Sequence, residues 1–208
     1  MSKEASMITN ESAIRKIALT GNIGSGKTTI ARIFKMLQVE VYNADKEAHK
    51  ILEYGTVKKQ LVDLFGQKVI IQNSINRKAL AAIVFQDKTM LEKLNSIIHP
   101  MVMKDFECWM KKLHSPKPYI LFESAIIFDA GLNDFFDDVI LVTAPQQIRV
   151  KRCALRDGVT QSKIWARIQH QTPEKLLIKK VNHRIVNDGK TMVIPQVLKL
   201  DKELCLRY

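Results

Sequence analysis

Apolar positions along this 208-residue chain follow two rhythms. Short, nearly unbroken apolar runs stand at 17–19, 39–42, 119–122, 139–142 and 184–186. Runs of that length without alternation predict strands covered on both faces, as in a parallel sheet. Between them, apolar residues recur every three or four positions at 29–37, 57–65, 77–85, 89–98 and 101–113, which predicts helices. Gly66, Asn73, Asn76 and the pair His99-Pro100 punctuate that stretch. Pro145 opens a further helix to about Leu155, and Arg156-Asp157-Gly158 reads as a turn before a helix near 162–171. Pro173 opens the next, and a turn at Asn187-Asp188-Gly189 precedes a terminal helix. Strands alternating with helices imply an α/β fold: a five-stranded parallel sheet between two helical layers.

The first strand and the first helix are joined by Gly21-Asn22-Ile23-Gly24-Ser25-Gly26-Lys27-Thr28, which fits G-x-x-x-x-G-K-[ST]. Glycines let such a loop coil until successive N–H groups converge on phosphate oxygens, and the helix start adds its positive end. Lys27 can reach the β and γ phosphates, and the Thr28 hydroxyl can ligate Mg²⁺. Residues 22–29, Thr29 included, are therefore candidate ATP contacts, with Asn187 and Gly189 placed to bond the base. In sheets of this kind ligands sit beyond the carboxyl ends of the strands. Asp45, Glu123 and Asp129 fall at or just past such ends. A carboxylate there can accept a proton from an attacking hydroxyl, or hold Mg²⁺ through water. Asp45 also suits a second role, capping a helix that starts at Lys46, whereas Asp129 suits shaping its loop.

Arg152 and Arg156 are four apart and share one helix face ahead of Gly158. Arginines on a mobile segment can neutralise a migrating phosphoryl group and close over it, so both are candidate catalytic residues. His99, in the helical stretch between strands two and three, is a candidate substrate contact. His49, His114, His170 and His183 belong to no constellation.

The formal charge of +12 calls for anionic partners. A nucleic-acid reader and a kinase with two polyanionic substrates both satisfy it, but the chain has no zinc spacing, RNA-binding aromatic signature or basic zipper. Three scattered cysteines (108, 153 and 205) suggest reduced thiols. No apolar run approaches the roughly 20 residues of a membrane span. The polar stretch 1–15 reads as a frayed tail of a cytoplasmic protein.

The ordered set of these stretches resembles the dephospho-coenzyme A kinase family from about 16 to 200. The residues that carry the resemblance are 17–28, 41–45, 91–100, 123–132, Arg152, Arg156-Asp157, Arg167-Ile168, Gln171 and 185–189. It implies a P-loop kinase core (about 16–45, 119–143 and 184–208) with an inserted helical substrate region (about 46–118) and an arginine lid (about 150–172). It also implies ATP-dependent phosphorylation of the ribose 3′-hydroxyl of dephospho-coenzyme A. In that frame Asp45 is the base, Lys27, Arg152 and Arg156 stabilise the phosphoryl group, and Arg77, His99 and Glu123 join Asp45 at the acceptor. The family's Asp-Ala-Asp reads Asn43-Ala44-Asp45 here, and its Asp-x-Pro-Leu-Leu-Phe-Glu reads Glu123 through Asp129 with the proline lost. The expected partners are small molecules, with no nucleic acid or membrane, and the expected state is a monomer or weak oligomer. Another small-molecule kinase on the same core, or a nucleic-acid-binding P-loop NTPase, stays open on the residues alone.

Overall fold

The computed structural model describes residues 14–84, 87–169 and 171–206. The expected tail falls mostly on 1–13, outside the described residues, as do Phe85 and His170. Five strands build the main sheet: β1 (Arg15–Thr20), β2 (Val41–Asn43), β5 (Tyr119–Glu123), β6 (Asp138–Thr143) and β7 (His183–Val186). They lie in the order β2-β5-β1-β6-β7, all parallel. Arg15 is thus strand, not tail; its N–H bonds the carbonyl of Pro118.

Alternation along each strand decides which helical layer it meets. Ile17 and Leu19 of β1, with Tyr119 and Leu121 of β5, pack against α1 (Lys27–Met36) and α9 (Val193–Leu206) through Ile30, Phe34, Val197 and Leu204. Ala18, Ile120 and Phe122 face the other way. They meet α2 (Ala44–Ile51), α3 (Gly55–Phe65), α4 (Arg77–Val84) and α5 (Lys88–Met110) in one continuous apolar cluster. The inserted helices therefore share the core of the sheet. Beyond β6 the chain forms α6 (Gln146–Asp157), α7 (Gln161–Gln169) and α8 (Glu174–Ile178) before β7.

Two expectations change. His99-Pro100 does not end a helix: α5 runs 23 residues with Pro100 inside it. An interior proline costs about 3 kcal/mol, but Ile98, Val102 and Phe106, one helical face, are all buried against the sheet. Between α3 and α4 stands an unforeseen hairpin of β3 (Ile70–Ile71) and β4 (Ser74–Ile75). Gln72 and Asn73 turn it with φ of 48° and 62°, the two consecutive positive angles of a type I′ turn.

Phe106 anchors α5. It is fully buried, with ring centroids 4.9 Å from Phe122 of β5 and 5.1 Å from Tyr42 of β2. Phe106→Ala is expected to cost about 3–5 kcal/mol in urea unfolding, because α5 would lose its seat on both strands.

Candidate active site

The phosphate loop leaves β1 and enters α1 through glycines that no other residue could replace. Gly24 and Gly26 hold φ of 78° and 94°, a region that side chains disfavour. A Cβ on Gly24 would lie 2.6 Å from the Arg149 carbonyl oxygen, and one on Gly26 would lie 2.2 Å from Asn187 Nδ2. Gly26 is the N-cap of α1; no side chain caps this end and no acid occupies its first turn. The helix start is thus left for an external anion. Lys27 donates its Nζ–H to the Gly21 carbonyl at 2.7 Å. Burial holds its pKa below the usual lysine value; the carboxylates of Asp45 and Glu123 act against that, and Arg156 adds to it.

Asp45 lies in the first turn of α2, but the helix cap is Asn43, whose Oδ1 accepts the Lys46 N–H at 2.8 Å. The capping alternative for Asp45 is therefore corrected, and its carboxylate makes no hydrogen bond or ion pair among the described residues. It opens to the cleft yet is crowded by surrounding protein. Desolvation raises its pKa, with Lys27 and His49 opposing and Glu123 reinforcing the rise. Glu123 closes the same corner from β5 and is 4% exposed. One of its oxygens accepts the Thr28 hydroxyl and the other the Asn43 amide, both at 2.7 Å.

Arg152 and Arg156 share helix α6 but not a station. Arg152 donates to the Asn187 carbonyl at 3.0 Å and to its Oδ1 at 3.3 Å, while Asn187 Nδ2 donates to the Ser25 carbonyl at 2.8 Å. Arg152 thus joins the turn after β7, where Gly189 has φ of 78°, to the phosphate loop. Arg156 is paired with Asp157 through Nε at 2.7 Å, and Arg167 reaches the same carboxylate at 3.0 Å. A second clasp joins the loop to the segment after α7. Ile23 N–H donates to Gln171 Oε1 at 2.9 Å, and Asn22 Nδ2 to the Thr172 carbonyl at 3.2 Å. The Thr172 hydroxyl donates to Asp129, in keeping with a loop-shaping role for that acid. Thr29 stands exposed one residue beyond Thr28.

Beside Asp45 opens a largely apolar cavity of about 190 Å³ between α2, α5 and β5, lined by Asp45, Ala48, Leu94, His99, Phe122 and Ser124 among others. His99 Nε2 is buried there without a hydrogen-bond partner among the described residues, and desolvation lowers its pKa, which keeps the ring neutral. Arg77, by contrast, is exposed at the start of α4 and lines neither the cavity nor the loop. Sequence reasoning missed the amide bond from Asn43 to Glu123. The signal was present: asparagine is a preferred N-cap, and it stands just before the helix.

A glycine loop between β1 and α1, a lysine facing two acids and an arginine helix over them define a P-loop kinase. The family model for dephospho-CoA kinase matches residues 15–192. The chain belongs to the dephospho-CoA kinase family. It is 35% identical over 187 residues to a dephospho-CoA kinase of Bacteroides fragilis, covering 89% of this chain and 90% of the relative. It is 37% identical over 186 residues to that of Porphyromonas gingivalis, covering 88% and 91%. Among solved structures, a protein of Thermus thermophilus superposes with a TM-score of 0.82 at 28% identity, covering 91% of this chain and 96% of that one. The dephospho-CoA kinase of Campylobacter jejuni superposes at 0.64 and 23% identity, covering 92% and 98%, a likeness of fold.

Asn187→Ala removes the side-chain bonds to Ser25 and to Arg152 Nη2 together, while the Arg152 Nη1 bond to the main-chain carbonyl stays. It should raise KM for ATP about 10-fold, since bonds to charged groups contribute about 1.5–3 kcal/mol. KM for the acceptor should not move, and a matched rise in both would argue against a base-side role.

Proposed function

We propose that the chain transfers the γ-phosphoryl group of ATP to the ribose 3′-hydroxyl of dephospho-coenzyme A, giving coenzyme A and ADP, within coenzyme A biosynthesis. Family membership supports the reaction. The observation that carries the residue roles is the station of Asp45, which lines the cavity and is coupled in charge to the phosphate-loop lysine.

ATP phosphates take the N–H groups of residues 22–28 and the start of α1, and Asn187 and Gly189 hold the base. Lys27 exchanges the Gly21 carbonyl for phosphate oxygens. The acceptor enters the cavity with its 3′-hydroxyl at Asp45, and the neutral His99 ring gives it a hydrogen bond. As the bond from the 3′-oxygen to the γ-phosphorus forms and the bond from that phosphorus to the ADP oxygen breaks, Asp45 takes the hydroxyl proton. Arg156, released from Asp157, neutralises the migrating group. Catalysis is then mainly positioning and electrostatics.

The donors at this corner are all oxygens, which suits Mg²⁺, an ion that keeps several waters and phosphate ligands. Among the described residues no cluster of three or more His, Cys, Asp or Glu could hold a metal alone, so the ion would arrive with the nucleotide. Thr28 would hold it, with Glu123 behind and Asp45 reached through water, and it would supply further neutralisation of the phosphates. Among the described residues no helix is long and apolar enough to cross a membrane. We take the working form to be a cytoplasmic monomer or weak oligomer that acts on small molecules and not on nucleic acid.

Incubation with ATP, Mg²⁺ and a panel of hydroxyl acceptors should yield coenzyme A with one ADP per product, read by mass. Equal turnover of a nucleoside monophosphate would overturn the acceptor assignment. Asp45→Asn should lower turnover by at least about 10²-fold while changing stability by no more than about 0.5 kcal/mol. The sign of the small change should be favourable at neutral pH. A carboxylate whose folded pKa is raised binds more protons folded than unfolded, so its charge destabilises once it is ionised. For the same reason the acid limb of kcat/KM should lie above that of an ordinary aspartate and vanish in the variant. Arg156→Ala should lower kcat by about 10²-fold and leave the melting temperature almost unchanged, the side chain being 64% exposed.

A further inference from the structure

We infer that Asn43 is a positioning residue of this reaction, the amide that ties the helix carrying Asp45 to Glu123 and, through Glu123, to Thr28 of the phosphate loop. This rests on the reading of Asp45 as proton acceptor. Asn43 is the last residue of β2 and the N-cap of α2, so it is the hinge between the sheet and the helix two residues before Asp45. Across the parallel strands it is the register partner of Glu123.

Its two side-chain atoms face partners of opposite kind. Oδ1 accepts the Lys46 N–H at 2.8 Å and Nδ2 donates to Glu123 Oε2 at 2.7 Å. A main-chain N–H can only donate and a carboxylate can only accept, so the amide orientation follows from the partners. Glu123 is thereby held by both oxygens, the other accepting the Thr28 hydroxyl at 2.7 Å. A continuous relay runs from α2 through Asn43 and Glu123 to the first turn of α1. It spans the two elements that bring proton acceptor and phosphate loop together.

The chemistry demands an amide. Serine at 43 would cap the helix as well as asparagine does, but would not bridge the span to Glu123 as a donor. Aspartate would also cap it, yet would set a second carboxylate against Glu123 at hydrogen-bond distance, where like charges repel.

A double-mutant cycle tests the tie, with kcat, both KM values and thermal melting read for each protein. Asn43→Ser should melt within a few degrees of the parent but lose about 10-fold or more in kcat, with either KM changing about twofold at most. That split marks misplacement of reacting groups and not loss of binding. Asn43→Asp should lose at least as much. In Asn43→Asp combined with Glu123→Gln, donor and acceptor are exchanged across the same pair, and kcat should exceed that expected from multiplying the two single effects. Parental kcat in Asn43→Ser, or single effects that simply multiply in the double variant, would overturn the proposal. Asp45→Asn assayed alongside keeps the two readings apart. Near-parental turnover there removes Asp45 as base, whereas a silent cycle beside an inactive Asp45→Asn removes only the tie.

Discussion

A phosphate loop must keep its N–H groups converged on a point that holds nothing of its own, and that constraint organises the rest of this molecule. Coiling alone does not secure it, since glycine loses more freedom on ordering than any other residue. Here the loop is held from outside. The backbone of Arg149 and the Cys153 sulfur back Gly24, and Asn187 abuts Gly26 and bonds Ser25. Gln171 and Thr172 take Ile23 and Asn22. Helix α6, the segment after α7 and the turn after β7 thus share one surface, the outer wall of the loop. A side chain on either glycine would break that wall and distort the loop at the same time.

The same packing explains how much of the molecule is legible in its sequence. Both faces of the sheet are covered, so β5 and β6 are unbroken apolar runs, and β5 stands at 119–123 where the pattern put it. The loop motif is legible because its glycines answer to backbone sterics, which are local. What escapes is decided over distance. Pro100 reads locally as a stop, yet the burial of Ile98, Val102 and Phe106 against strands far along the chain carries α5 through it. The hairpin at 70–75 has strands of two residues, too short to show a period. Capping was legible as chemistry but not as register. Both Asn43 and Asp45 can cap, and only the true start of α2 at Ala44 decides between them.

That two-residue difference bears directly on the chemistry. An aspartate at the cap would spend its oxygens on helix N–H groups, which lowers a carboxyl pKa and makes it a poor base. One position inside the first turn, Asp45 keeps both oxygens for the cleft, and desolvation raises its pKa. The lysine opposite is shifted down, also by burial.

The cations around the loop show the same economy. Lys27 rests on a neutral carbonyl of its own loop, Arg152 on the carbonyl and amide of Asn187, and Arg156 on a carboxylate in its own helix. All three are already partly withdrawn from water and held near where a polyphosphate would lie. A phosphate oxygen offers a cation a full opposite charge, an attraction that a neutral carbonyl lacks and that grows as water is excluded. For Lys27 and Arg152, exchanging a carbonyl for a phosphate oxygen gains that attraction at little further desolvation. Arg156 must instead leave an ion pair. That pair is exposed, and exposed pairs contribute only about 0–1 kcal/mol. Of the three, Arg156 therefore combines the largest local rearrangement with a small energetic cost, which under the proposed mechanism leaves it free to be recruited late.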